Sequence, residues 1–210
     1  MVDEAYEAAA ERFTRALIAD AGEPGLLAEI AAFVNRIAAA GAVNGLVQCL
    51  LRLTVPGVPD LYQGTEFWDF SLVDPDNRRP VDFAARSAAL DGGDLEALAP
   101  SWRDGRIKQA LIARLLALRQ AMPDLFASGS YEPVAIEGPA AAAMLAFVRR
   151  HGGKHLLVAA PRLPFALLQG SEGLALPPGV LKETVVRFEG GLTLDRHLTG
   201  LPFLLLTSQP

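Results

Sequence analysis

The sequence predicts an α+β fold in two parts: a helical region carrying one short buried strand, followed by a small antiparallel β-sandwich. Three observations support this. Apolar residues recur at three- and four-residue steps as far as Met122, one extended run interrupts them after Thr54, and beyond Pro123 short apolar runs alternate with Gly and Pro.

The first helix is expected over residues 5–20, where Tyr6, Ala10, Phe13 and Leu17 share one face. Glu23-Pro24-Gly25 punctuates the chain, and Pro24 suits a helix start. Leu27, Ile30, Val34 and Ile37 then repeat the pattern, and residues 42–53, apolar on most faces, read as a further, buried helix. Two prolines, Pro56 and Pro59, exclude its continuation. Residues 60–63 read as a short buried strand stopped by Gly64, and Asp74-Pro75-Asp76-Asn77-Arg78-Arg79-Pro80 as a polar loop held by Asx-type bonds. Helical spacing returns over residues 83–90 and at Ile107, Leu111, Leu115, Leu118 and Met122. Strands are expected at 131–137, 142–150, 155–160, 184–188 and 203–206, with His151-Gly152-Gly153-Lys154 as a hairpin turn. A boundary falls near residues 123–129.

Composition sets limits on function. A chain of 210 residues with 51% hydrophobic and 20% charged residues can bury a sizeable core. Its net charge of -5 gives no basic face for nucleic acid or an anionic membrane, so neither is expected as a partner. No secretory signal is evident, and no window is expected to approach the ~20 apolar residues of a membrane span, which makes a soluble cytoplasmic protein the default. Cys49 reads as a small buried hydrophobe, and His151, His155 and His197 as surface or strand residues without metal-ligand company. No cofactor is indicated. Gly138-Pro139 and Gly152-Gly153 lack a phosphate-loop pattern, Ser128 and Ser130 lack nucleophile-elbow spacing, and Arg149-Arg150 read as solvated strand residues.

Helix, short buried strand, polar loop and helix form the grammar of a parallel α/β architecture, in which strand ends carry ligand-binding loops. Only one such unit is visible, and a parallel barrel cannot close with so few strands. Either the strand docks on something unusual or the chain is a piece of a longer protein.

Specific wording adds to this. Pro56-Gly57-Val58-Pro59-Asp60-Leu61-Tyr62-Gln63-Gly64-Thr65-Glu66 resembles the eighth barrel strand of the alpha-amylase superfamily. The continuation from Trp68 through Asp74-Pro75-Asp76-Asn77-Arg78-Arg79-Pro80 to Phe83 resembles the maltooligosyl trehalose synthases, as do Trp102-Arg103-Asp104-Gly105-Arg106-Ile107-Lys108 and Ala159-Ala160-Pro161-Arg162. The resemblance implies that residues 1–125 are the C-terminal part of a (β/α)8 catalytic barrel, helices plus the final strand and its loop, and that residues 126–210 form an all-β C-terminal domain.

It also implies a reaction, conversion of the reducing-end α-1,4 linkage of a maltooligosaccharide to an α,α-1,1 linkage, by a retaining mechanism that needs a carboxylate nucleophile and a separate acid/base. In the superfamily these lie on earlier strands, so no catalytic residue is assigned here. By the same resemblance the substrate-binding candidates are Arg78, beside the sugar cleft, with Asp74, Asp76 and Asn77 as hydroxyl acceptors, Tyr62 and Trp68 as stacking surfaces, and Gln63, Glu66 and Arg79 near them. Turn capping accounts equally for Asp74, Asp76 and Asn77, core packing for Tyr62 and Trp68, and local ion pairing for Glu66 and Arg79. A stand-alone carbohydrate-binding module and the end of another glucan hydrolase are the competing readings. An isolated strand at 60–63 would leave unpaired amides, which predicts self-association, a rearranged strand, or disorder over residues 54–82.

Overall fold

The computed structural model describes residues 3–19, 25–72, 78–90, 93–198 and 200–208. The chain divides into two compact units, Met1–Ala38 and Ala39–Pro210.

In the first unit, helix α1 spans Glu4–Ala19. Asp3 caps it by accepting the Tyr6 amide at 3.1 Å, Glu4 and Glu7 occupy its positive first turn, and a Glu11 to Arg15 ion pair spans one turn at 2.7 Å. Helix α2 runs over Leu26–Thr54. Where two helices were expected there is one, because Ala38, Ala39, Ala40 and Gly41 stay helical; a run of alanines loses little entropy in a helix. Pro24 lies outside the described residues. The continuous helix, with a mean hydropathy of 1.6 in its most apolar stretch, is long and apolar enough to cross a membrane by length and composition, which corrects the expectation that no window approaches a span.

In the second unit the later part of α2 supplies core residues. Val43, Leu46, Leu50 and Leu53, at three- and four-residue steps, are fully buried, and Cys49 is buried beside them as expected. Residues 60–63 form no strand, and Asp60, Tyr62 and Gln63 are exposed. A parallel strand needs neighbours to take its amides and carbonyls, and every strand pairing among the described residues is antiparallel and lies beyond residue 131.

Helix α3 (Phe83–Ala89) starts where Asp82 accepts the Ala85 amide at 2.9 Å, and α4 (Leu95–Leu98) is capped by Asp94. A 3-10 turn, Ala99–Asp104, leads through Gly105 into α5 (Arg106–Ala121), whose face of Ile107, Leu111 and Leu115 is fully buried as the periodicity predicts. The expected boundary region holds helix α6 (Pro123–Ser128), with Pro123 in its first turn and Leu125 and Phe126 buried.

The rest is antiparallel sheet with short helices. Strands β1 (Glu132–Pro133), β2 (Ile136–Glu137), β3 (Met144–His151) and β4 (Lys154–Pro161) precede helix α7 (Pro164–Leu168). Then follow β5 (Val185–Val186), β6 (Leu192–Thr193), helix α8 (Leu194–His197) and β7 (Leu204–Thr207). One sheet has the order β1-β3-β4-β7 and the other β2-β5-β6. The β3–β4 hairpin closes as the sequence predicts, with His151 paired to Lys154 and both Gly152 and Gly153 at positive φ, the geometry of a type I′ turn.

Arg149 corrects the reading of Arg149-Arg150 as solvated residues. It is 1% exposed, and its guanidinium donates to the carbonyls of Ser130 (2.7 Å), Thr54 (2.9 Å), Leu125 (3.0 Å), Gly129 (3.0 Å) and Phe126 (3.3 Å). Four of these, Thr54, Leu125, Phe126 and Gly129, lie at or near the negative C-terminal ends of α2 and α6, where a delocalised cation serves them together, although Leu125 also accepts the Gly129 amide at 3.0 Å. Arg119 on α5 donates to the neighbouring Leu53 carbonyl at 2.9 Å.

Candidate functional site

Among the described residues between Gly57 and α3 there is no regular ladder, and side chains shape the run instead. Thr65 turns back on Tyr62, its amide and hydroxyl both donating to the Tyr62 carbonyl at 3.1 and 2.7 Å. From α3, Arg86 reaches under this turn. Its Nε pairs with Glu66 at 3.0 Å, its Nη2 donates to the Gly64 carbonyl, its Nη1 donates to the Asp82 carbonyl at 3.1 Å, and its guanidinium lies 4.8 Å from the centre of the Phe67 ring. Gln109 on α5 holds Arg86 in turn, donating to its backbone carbonyl at 2.8 Å.

Beside it, Trp68 donates to the Trp102 carbonyl at 2.7 Å, and the two indoles meet edge to face at 6.4 Å. Lys108 donates to the Phe67 carbonyl at 3.0 Å and sits 5.7 Å from the centre of the Trp68 ring. Burial pushes the Lys108 ammonium below its ordinary range, against the opposing pull of Asp69 and Glu66.

These contacts fix one side of an open cleft of about 560 Å³. Its polar lining is Gln63, Asp69, Ser71, Arg79, Asp82 and Arg86, and its apolar lining includes Phe70 and Leu72. Asp69 is set by Ser71, whose hydroxyl and amide both donate to Oδ1, at 2.6 and 2.9 Å. Those two bonds hold its carboxyl below the usual range. A carboxylate kept ionised in this way makes a poor general acid and a good acceptor, and Asp82 is committed to capping α3. The arrangement therefore suits binding more than proton transfer. Apolar edges beside fixed donors and acceptors match a ligand with weakly polar faces and a rim of hydroxyls. Among the described residues no group of three or more His, Cys, Asp or Glu side chains could hold a metal ion.

Of the residues singled out from the sequence, Gln63 and Arg79 line the cleft. Glu66 is turned to Arg86, and Trp68 is half-buried in its contacts with Trp102 and Lys108. Tyr62 and Arg78 are exposed but are not among the cleft-lining residues. Asp74, Asp76 and Asn77 lie outside the described residues. Sequence reasoning missed Asp69, Ser71 and Arg86. Asp69 and Ser71 had a findable signal in the Asp-x-Ser spacing of an Asx turn, whereas Arg86 carries no local signature.

No family model matches the chain. Proteins from two strains of Mycobacterium tuberculosis that carry the provisional name maltooligosyl trehalose synthase are each 42% identical to it over 186 residues, covering 86% of this chain and 22% of theirs. Among solved structures, maltooligosyltrehalose synthase from Arthrobacter ramosus superposes with a TM-score of 0.73 at 35% identity, over 94% of this chain and 26% of that one. A point mutant of the same enzyme gives 0.75 over 98% and 27%, and another crystal structure of a maltooligosyl trehalose synthase gives 0.59 at 26% identity. By sequence and by fold the chain is similar to one part of the maltooligosyl trehalose synthases, and it spans only 22% to 27% of the length of the relatives just described.

Proposed function

We propose that the chain supplies one wall of the sugar-binding cleft of a maltooligosyl trehalose synthase, a (1→4)-α-D-glucan 1-α-D-glucosylmutase of trehalose biosynthesis acting on maltooligosaccharides. The observation that carries this reading is that the cleft is lined by residues between Gln63 and Arg86, the run that holds the family wording, with Arg79 in its lining and Asp69 held there by Ser71. In this reading residues 1–125 are the C-terminal part of a glycoside-hydrolase-type (β/α)8 barrel, residues 126–210 are a β-sandwich domain, and the protein works in the cytoplasm without a nucleic-acid or membrane partner. The 60–63 segment is a barrel strand only when flanked by others. The carboxylate nucleophile and acid/base come from outside these 210 residues.

Calorimetric titration with maltopentaose tests the reading. Binding is expected, weakened about tenfold in Arg79→Ala, the loss of one charge-assisted hydrogen bond. No trehalosyl product is expected from the chain alone. No measurable binding would remove the cleft from consideration, and turnover would show that the catalytic carboxylates lie within this chain.

A further inference from the structure

Trp68 is seated more firmly than a sugar-stacking ring needs to be. Gly45 on α2 faces it so closely that a methyl there would lie 3.2 Å from the indole Cζ3. At the start of α5, Gly105 lets the chain pass where a methyl would come within 2.9 Å of the Trp68 amide nitrogen. Two positions without side chains, from separate elements, therefore make room for one residue. The indole N–H is committed to the Trp102 carbonyl, and Lys108 lies over the ring. A ring enclosed in this way, with its donor already used, has little left to offer a pyranose face.

What Trp68 holds is the next residue. Asp69 and Ser71 line the cleft and bond to each other, but bonds between residues so close in sequence shape a turn without fixing where it stands. Ties to the rest of the chain come from Trp68 to Trp102 and from Lys108 to the Phe67 carbonyl. The first of these continues further. The Trp102 indole donates at 3.1 Å to the carbonyl of Glu172, seventy residues along the chain in the loop after α7. That loop is itself closed by Ser171, whose hydroxyl accepts the Gly173 amide at 3.2 Å. Two indoles in series thus run from the cleft edge to the 171–173 loop, and rigid rings with few torsions transmit position with little play.

We propose that Trp68 and Trp102 are positioning residues that place the Asp69 edge of the cleft from the 171–173 loop and do not touch the sugar; the consequence for binding rests on the cleft reading given above. Calorimetry with maltopentaose on the full chain, joined to amide exchange at Ser71 followed by NMR, tests the two parts separately. Trp68→Phe keeps a ring and removes the N–H. It is expected to weaken binding about fivefold and to lower Ser71 protection by a similar factor. In an Asp69→Ala background it should bring no further loss of binding, since both act through one contact. Trp102→Phe, which removes only the bond to Glu172, is expected to move both readouts in the same direction. So is Gly45→Ala, which keeps every donor and suits a helix but crowds the ring. In a chain that binds maltopentaose, binding or Ser71 protection left unchanged by Trp68→Phe would overturn the proposal. Losses that add fully to that of Asp69→Ala would overturn it as well, because the indole would then meet the sugar itself. If the unmodified chain bound no maltopentaose, the cleft reading would fall, while Ser71 protection would still decide the anchoring: a drop in Trp68→Phe upholds it and no change refutes it.

Discussion

Replacing Arg149 by Met keeps the length of the side chain and removes every donor. The five carbonyls that it serves belong to the backbone at residues 54, 125, 126, 129 and 130, so no second substitution can remove them together with the charge. The Leu125 carbonyl keeps the Gly129 amide at 3.0 Å, which softens its loss. Each acceptor stranded without a donor costs about 1–3 kcal/mol, while relieving the burial of the guanidinium returns several. The net expectation is a loss of about 3–5 kcal/mol, the range found when one side of a buried charged interaction is removed. For a chain of this size that lowers the melting temperature by roughly 6–20 °C. Arg149→Lys should fall in between, since a compact ammonium cannot span the same carbonyls. Urea unfolding followed by tryptophan fluorescence suits the measurement, because Trp68 and Trp102 both lie in the unit that contains Arg149. If Arg149→Met lost less than about 1 kcal/mol, the guanidinium would not be what ties the helix ends to the sheet, and the reasoning from stranded carbonyls would fail.

Arg86→Ala should destabilise the 64–67 turn by about 1–2 kcal/mol, discounted because its pair with Glu66 is partly exposed, and a melting scan would read it. Lys108 gives a pH test. Its folded-state value lies below the ordinary 10.5, so between the two the unfolded chain binds more protons, and stability should rise as pH climbs through that window. Lys108→Met should remove that rise when urea midpoints are compared across alkaline pH. Gly105→Ala meets a backbone at φ +82° and places a methyl 2.9 Å from the Trp68 amide nitrogen, so a loss of about 1–3 kcal/mol is expected by calorimetry.

Much of this was legible where the signal is local. The α5 face follows from its three- and four-residue steps, and the β3–β4 turn follows from two adjacent glycines, because both depend on chemistry within a few residues. Residues 60–63 failed for the opposite reason: a strand exists only with a neighbour to bond, and its pattern says nothing about whether that neighbour is at hand. Arg149 was misread because its acceptors are distant carbonyls, which leave no mark in the identity of the residues that carry them. At the cleft, Gln63 and Arg79 could be picked out by wording, while the pinning of Glu66 by Arg86, twenty residues on, could not.

The Gly152-Gly153 turn is open, with nothing within 4 Å of a side chain added at either glycine. Steric tolerance there conceals a counting constraint. Arg149 and Arg150 are chemically identical neighbours, and only the parity of the hairpin pairing sends the first to the helix ends and the second toward Glu132 and Glu189. A shift of β3 by one residue would exchange their roles and strand a carbonyl cluster on a side chain aimed elsewhere. The chain is thus least forgiving of a change in length at the very turn where it is most forgiving of a change in bulk.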